Sequence, residues 1–131
     1  MIPRVGVDLV PLSRVEDILR SATPHLHRLL SDTEISLSRN DSGFDHAGIA
    51  GRLAAKEAVF KVLHTERETL PWLGVEILRG RGGWPEVQLS GRARRLAHQA
   101  RLDTIAVSIT HDGPFAVAVV VAHITSAPQG R

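Results

Sequence analysis

Two carboxylates stand where apolar segments should bury their faces: Asp8 in RVGVDLV and Glu57 in GRLAAKEAVFKVL. Such a strand or helix carries a costly charge unless a metal ion or a cation compensates it. Val5, Val7 and Leu9 alternate with Gly6, Asp8 and Val10, the period of a strand, so Asp8 shares a face with one small and one apolar residue. The second segment has the length and Ala content of a helix. At the helical period Glu57 lies beside Leu53, Ala54 and Phe60, with Lys61 one turn further on. The residues alone leave two readings open. In one, the carboxylates form a divalent-metal site with a cation beside it, suited to a phosphate-bearing substrate because a hard ion bridges carboxylate and phosphate oxygens. In the other, Asp8 is an edge residue and Glu57–Lys61 an ordinary i,i+4 ion pair on a helix surface.

Around these segments the pattern predicts a strand near 3–10, a helix over 12–21, and a short helix over 31–38 whose start is signalled by Ser31 ahead of Glu34. A loop from Asn40 to Asp45 leads into a long helix at about 46–63. After Pro71, strands at 75–78 and 86–89 flank the Gly-rich turn from Gly80 to Pro85, and a helix covers 91–101. Strands over 104–110 and 115–123 form a hairpin around His111-Asp112-Gly113-Pro114. The expected class is α+β, with a mainly antiparallel sheet packed against a long helix. Residues 1–125 are expected to form one domain and 126–131 a frayed tail.

Composition narrows the function by exclusion. With no cysteine among 131 residues there is neither a disulfide framework nor a thiol nucleophile. Sixteen Lys+Arg against fourteen Asp+Glu is too even a balance to suggest nucleic acid. The N-terminus lacks a signal-peptide pattern and no apolar run is long enough to span a membrane, so a soluble cytoplasmic protein is expected. A basic run, Arg92, Arg94, Arg95 and Arg101, reads as the solvated face of an amphipathic helix.

Three separated motifs lie in order along nearly the whole chain: Gly6-Val7-Asp8, the stretch from Arg52 to Lys61 in RLAAKEAVFK, and Val107-Ser108-Ile109-Thr110-His111. In these the chain resembles the holo-acyl-carrier-protein synthases, the small trimeric group of the 4′-phosphopantetheinyl transferase superfamily. The resemblance implies that fold, and transfer of the phosphopantetheine arm of coenzyme A to a serine of an apo acyl carrier protein, with release of adenosine 3′,5′-bisphosphate. It further implies Mg²⁺, with Mn²⁺ an alternative, held by Asp8 and Glu57; Glu57, or a water it orients, as acceptor of the serine proton; and Lys61 stabilising the departing phosphate. Arg52, Lys61, Ser108, Thr110 and His111 would bind coenzyme A. Arg14, Arg20 and Arg28, with His25 and His27 nearby, would meet the acidic carrier protein; a solvated helix face is the alternative for each.

The resemblance also implies a homotrimer with coenzyme A at subunit boundaries. The nearly continuous apolar stretch PFAVAVVVAHI suits a strand buried on both faces, as would a monomer core. The expected division of the site puts Asp8 and His111 on one subunit and Glu57 and Lys61 on its neighbour. Departures from the group's pattern are Leu53, where an aromatic residue is usual; His64 and Glu66, where two glycines of a phosphate-approaching turn are usual; and Trp84, where a basic residue commonly stands between Gly and Pro. Glu66 would repel a diphosphate unless it points away or helps hold the metal, and Arg67 could compensate. Trp84 could cover an adenine, although an exposed aromatic more often fills an interface. The altered turn permits a second reading, a catalytically weakened relative that binds carrier protein or coenzyme A. The substrate carrier, whether of fatty-acid, polyketide or peptide synthesis, is not legible.

Overall fold

The computed structural model describes residues 2–21, 25–65 and 69–125. Strand β1 (Ile2–Pro11) runs into helix α1 (Leu12–Arg20), followed by a single helical turn, α2 (Leu26–Leu29), and α3 (Asp32–Leu37). A two-rung hairpin, β2 (Arg39–Asn40) and β3 (Gly43–Phe44), precedes the long helix α4 (His46–Leu63). A second hairpin, β4 (Val75–Arg79) and β5 (Pro85–Leu89), leads to α5 (Gly91–Gln99), and the described chain closes with β6 (Leu102–Asp112) and β7 (Phe115–Ile124). All strand pairs are antiparallel, and the main sheet has the order β1-β7-β6. The fold is α+β, as the sequence predicts.

Helix α4 is the organising element. Most of its residues are buried, from Ile49 to Leu63, because the sheet covers one side and α1, α3 and β4 crowd the others. Ala50, Ala54, Ala55 and Ala58 keep its surface low, and Leu53, standing where an aromatic is usual in the family resembled, is fully packed. Asp45 caps the helix by accepting from the Gly48 amide at 3.1 Å. Two glycines set how closely helix and sheet approach. A Cβ on Gly6 would lie 2.2 Å from the Ala58 carbonyl oxygen, and one on Gly51 would lie 2.8 Å from a methyl of Ile109. Only hydrogen fits at these crossings.

The sheet has two unlike faces. Gly6, Val10, Ala116, Ala118, Val120 and Ala122 are buried on the α4 side, together with the inward Ile105, Val107 and Ile109 of β6. The other face is apolar and open: Val5 is 64% and Val7 51% exposed, joined by Leu9, Phe115 and Val119. The apolar PFAVAVVVAHI stretch therefore has one face covered by α4 and one left open within a single chain. β7 is the central strand, but within one chain only its α4 side is covered.

A charged network is sealed inside. Lys56 and Glu34, both with no exposed side-chain surface, meet at 2.6 Å. The Lys56 ammonium also donates to the carbonyls of Leu29 and Trp72, and Glu34 accepts from the amides of Ile77 and Ser31. The Ser31–Glu34 capping box predicted from sequence is present, so this carboxylate caps α3 and neutralises α4 at once. Burial is the largest influence on Lys56 and pulls its pKa down, while Glu34 opposes that shift.

Candidate functional site

Asp8 is carried by the α4 side of β1, and Gly6, one rung before it on the same face, lets α4 come close enough to meet it. Glu57 and Lys61, one turn apart on α4, both face this point, but they do not form the helix-surface ion pair that was one reading of the sequence. Lys61 reaches across to β1, donating to the Val7 carbonyl at 2.6 Å and lying 3.3 Å from Asp8 Oδ1. Glu57 instead pairs with Arg14 of α1, whose Nη1 is 3.4 Å from each carboxylate oxygen. Sequence reasoning gave Arg14 only a docking role; its place beside Glu57 follows from the packing of α1 on α4, which no local motif encodes.

The electrostatics of the carboxylate pair are unusual. Side-chain exposure is 19% for Asp8 and 27% for Glu57. Burial pushes the Glu57 pKa from 4.5 up to about 7, aided by hydrogen bonding to Asp8 and by its charge, with Arg14 and Lys61 opposing. Asp8 Oδ2 is buried with no donor to satisfy it. Even with Lys61 and Arg14 beside them, two carboxylates this close leave one buried oxygen that a proton between them or a bound cation would satisfy. The set therefore fits a hard divalent ion. No group of three or more His, Cys, Asp or Glu residues gathers among the described residues, so further oxygens must come from substrate or water.

Asp8, Glu57 and Lys61 of the same chain are thus in contact, and the expected division of these three between neighbouring subunits is corrected. Gly6 against Ala58 is the physical reason: it closes the distance inside the chain.

The remaining predicted residues are elsewhere. Arg52 and Glu57 are five residues apart on α4, which places them about 140° apart around the helix. Arg52 is only 7% exposed and donates to the Ile77 carbonyl at 3.0 Å and to Ser38 Oγ at 3.3 Å; burial, first among its influences, lowers its pKa. It forms part of the wall of a cavity of about 400 Å³, together with Asp45, Gly51, Arg79, Gly83, Pro85 and His111. Arg79 was not anticipated, since a single Arg at a strand end carries no signal. Ser108 and Thr110 alternate with the inward Val107 and Ile109, so they lie on the open sheet face, in register with Val119 and Val117. Arg20 pairs with Glu16 on the surface, and Arg28 lines a second cavity beside Trp72 and Leu73.

Of the altered turn, His64 is described and ends α4 in the left-handed conformation (φ 54°, ψ 41°), with its amide donating to the Lys61 and Phe60 carbonyls. It thus occupies the backbone geometry a glycine would favour. Glu66 and Arg67 lie outside the described residues, as does the expected tail at 126–131. No helix among the described residues is long and apolar enough to cross a membrane.

A carboxylate pair tuned this way, with a lysine and an arginine in contact, is suited to neutralising and transferring phosphate-bearing groups. Residues 4–120 match the family model of the 4′-phosphopantetheinyl transferase superfamily. A holo-acyl-carrier-protein synthase of Moorella thermoacetica is 35% identical over 127 residues, covering 95% of this chain and 97% of its own. That of Desulforudis audaxviator is 38% identical over 123 residues, covering 93% of each. Among solved structures, the Helicobacter pylori holo-acyl-carrier-protein synthase in complex with coenzyme A has a TM-score of 0.78 at 30% identity, covering 92% of this chain and all of that one. The synthase–coenzyme A complex of Chronobacterium ammoniagenes has a TM-score of 0.84 at 26% identity, covering 96% and 100%. The chain belongs to the 4′-phosphopantetheinyl transferase superfamily, in its holo-acyl-carrier-protein synthase group.

Proposed function

We propose that this protein transfers the 4′-phosphopantetheine arm of coenzyme A to a serine hydroxyl of an apo acyl carrier protein, using Mg²⁺ held by Asp8 and Glu57. The observation that carries the metal assignment is the buried, donorless Oδ2 of Asp8 beside a Glu57 whose pKa stands at about 7. Held by these two carboxylates, Mg²⁺ would supply charge neutralisation on the diphosphate, as Mn²⁺ would with the same oxygen ligands. Glu57, directly or through a water it orients, accepts the serine proton, because a carboxylate beside the metal is within reach of the incoming hydroxyl. The serine oxygen forms the new bond to the phosphorus bearing the pantetheine arm, and the diphosphate bond to adenosine 3′,5′-bisphosphate breaks. Lys61, fixed on the Val7 carbonyl, holds positive charge beside the leaving phosphate.

The cationic cavity of Arg52, Arg79 and His111 receives the nucleotide end of coenzyme A. Because it opens on a different side of α4 from Glu57, and Ser108 and Thr110 lie on the open sheet face, the site is completed between chains. The apolar face of Val5, Val7, Leu9, Phe115 and Val119 is the surface that packs in a homotrimer. The carboxylates and Lys61 come from one subunit, and the cavity with Ser108, Thr110 and His111 from the next. Arg14 has a double part, orienting Glu57 and, with Arg20, presenting positive charge to an acidic carrier; Arg28 extends that surface. The protein works in the cytoplasm.

The test is to incubate the protein with coenzyme A, Mg²⁺ and a panel of apo carrier proteins and read each carrier by intact mass. A gain of one phosphopantetheine, lost with chelator, supports the reading. Binding of coenzyme A with no gain on any carrier favours a weakened relative that binds without transfer.

A further inference from the structure

Trp84 is the most exposed large apolar side chain among those described, at 75%, and nothing in the proposed chemistry uses it. It sits on the turn between β4 and β5, a turn built to display it. Gly82 and Gly83 adopt φ of +74° and +82°, and the backbone is pinned on both sides of the turn. The Gly80 amide donates to the Trp84 carbonyl at 2.7 Å, and the Gly83 amide to the Gly80 carbonyl at 3.0 Å. The residues on either side of Trp84, Gly83 and Pro85, line the cavity that holds Arg52, Arg79 and His111. The indole lies over Gly82 and is not itself part of that lining, but its two sequence neighbours are, so it stands next to a cavity whose polar wall is largely cationic, with Asp45 committed to capping α4. A planar apolar surface beside anion-binding groups matches a ligand with a flat heteroaromatic base joined to phosphates.

We propose that Trp84 is a substrate-specificity residue, its indole stacking on the adenine of coenzyme A while Arg79 and His111 face the phosphates. This deepens the proposed transferase reading and rests on it. In this chain, face-to-face contact replaces whatever a basic residue at that position would contribute by charge. Its affinity contribution is accordingly insensitive to salt.

The experiment uses intact protein and two fragments of coenzyme A: adenosine 3′,5′-bisphosphate, which keeps the base, and 4′-phosphopantetheine, which lacks it. Indole emission is recorded for the wild type and for Trp84→Phe, so that the difference reports Trp84 while Trp72, packed edge-on against Phe60, cancels. The bisphosphate is expected to quench the Trp84 signal. Trp84→Ala should weaken bisphosphate binding about ten-fold, leave phosphopantetheine binding unchanged, and raise KM for coenzyme A with kcat intact; Trp84→Phe should retain most of the affinity. Equal bisphosphate affinity in wild type and Trp84→Ala overturns this inference alone. So does a change of oligomeric state in Trp84→Ala with base affinity unaltered, which would make the indole an interface residue. A wild type that binds neither fragment overturns the underlying transferase reading along with it.

Discussion

At the scale of single residues, the decisive quantity is the charge state of Glu57. Its pKa in the folded protein, about 7, lies above its ordinary value of 4.5, so the folded state holds this proton more tightly than the unfolded chain does. The resulting stabilisation is complete below pH 4.5 and lost as pH rises through 7. Metal-free protein should therefore show a falling melting temperature between pH 5 and pH 8, and Glu57→Gln should flatten that slope. Thermal unfolding in chelator across this range checks it; an unchanged slope in the variant would show that another group is responsible. His64 offers a separate residue-level prediction. Its left-handed backbone costs a non-glycine residue about 1 kcal/mol, so His64→Gly should stabilise the protein by about that amount in denaturant unfolding. Of the two site residues that sequence reasoning paired, Glu57 and Lys61, neither kept its partner: both turned outward from the helix to β1 and α1, because tertiary contacts outweigh an exposed i,i+4 pair worth a few tenths of a kcal/mol.

Between elements, the contact of β1 with α4 determines the site. Gly6→Ala forces a methyl into the Ala58 carbonyl and should cost about 1–3 kcal/mol. It should also move Asp8 off Glu57, so turnover falls in protein that still folds; a urea melt and an initial rate on the same sample separate the two effects. The sequence showed these elements well where periodicity ran long. The helix at 46–63 and the capping box of Ser31 and Glu34 were legible because each rests on local spacing. Helix α2 and the β2–β3 hairpin were not, being too short for any period to register. The Glu34–Lys56 ion pair was invisible for a different reason. Each residue has a sufficient local explanation, as a cap and as a helix former, and only the folded chain brings them to 2.6 Å.

Over the whole molecule, the open apolar sheet face and the separation of the carboxylates from the Arg52–His111 cavity belong to one argument. A chain that exposes Val5, Val7 and Leu9 in a row gains by covering them, and in the proposed homotrimer a copy of itself would do so while supplying the other half of the site. Asp8→Ala and His111→Ala chains should each be inactive alone. Denatured together and refolded, an equal mixture of trimers should recover about a quarter of wild-type activity, because each mixed ring regains one native boundary of three. No recovery in verified mixed trimers would assign the whole site to one chain. The three motifs of the sequence were enough to place the chain in its family, but their division between faces of the sheet depended on strand register. Ser108 and Thr110 point away from α4 only because Val107 and Ile109 point toward it.

The most direct test of the account is the initial rate of carrier modification, read by intact mass, for wild type and Glu57→Gln over a Mg²⁺ series at saturating coenzyme A. The account expects a wild-type rate that is nil in chelator and saturates with Mg²⁺, and a variant that binds coenzyme A but transfers nothing at any Mg²⁺ concentration. Full turnover by Glu57→Gln at limiting Mg²⁺ would contradict it.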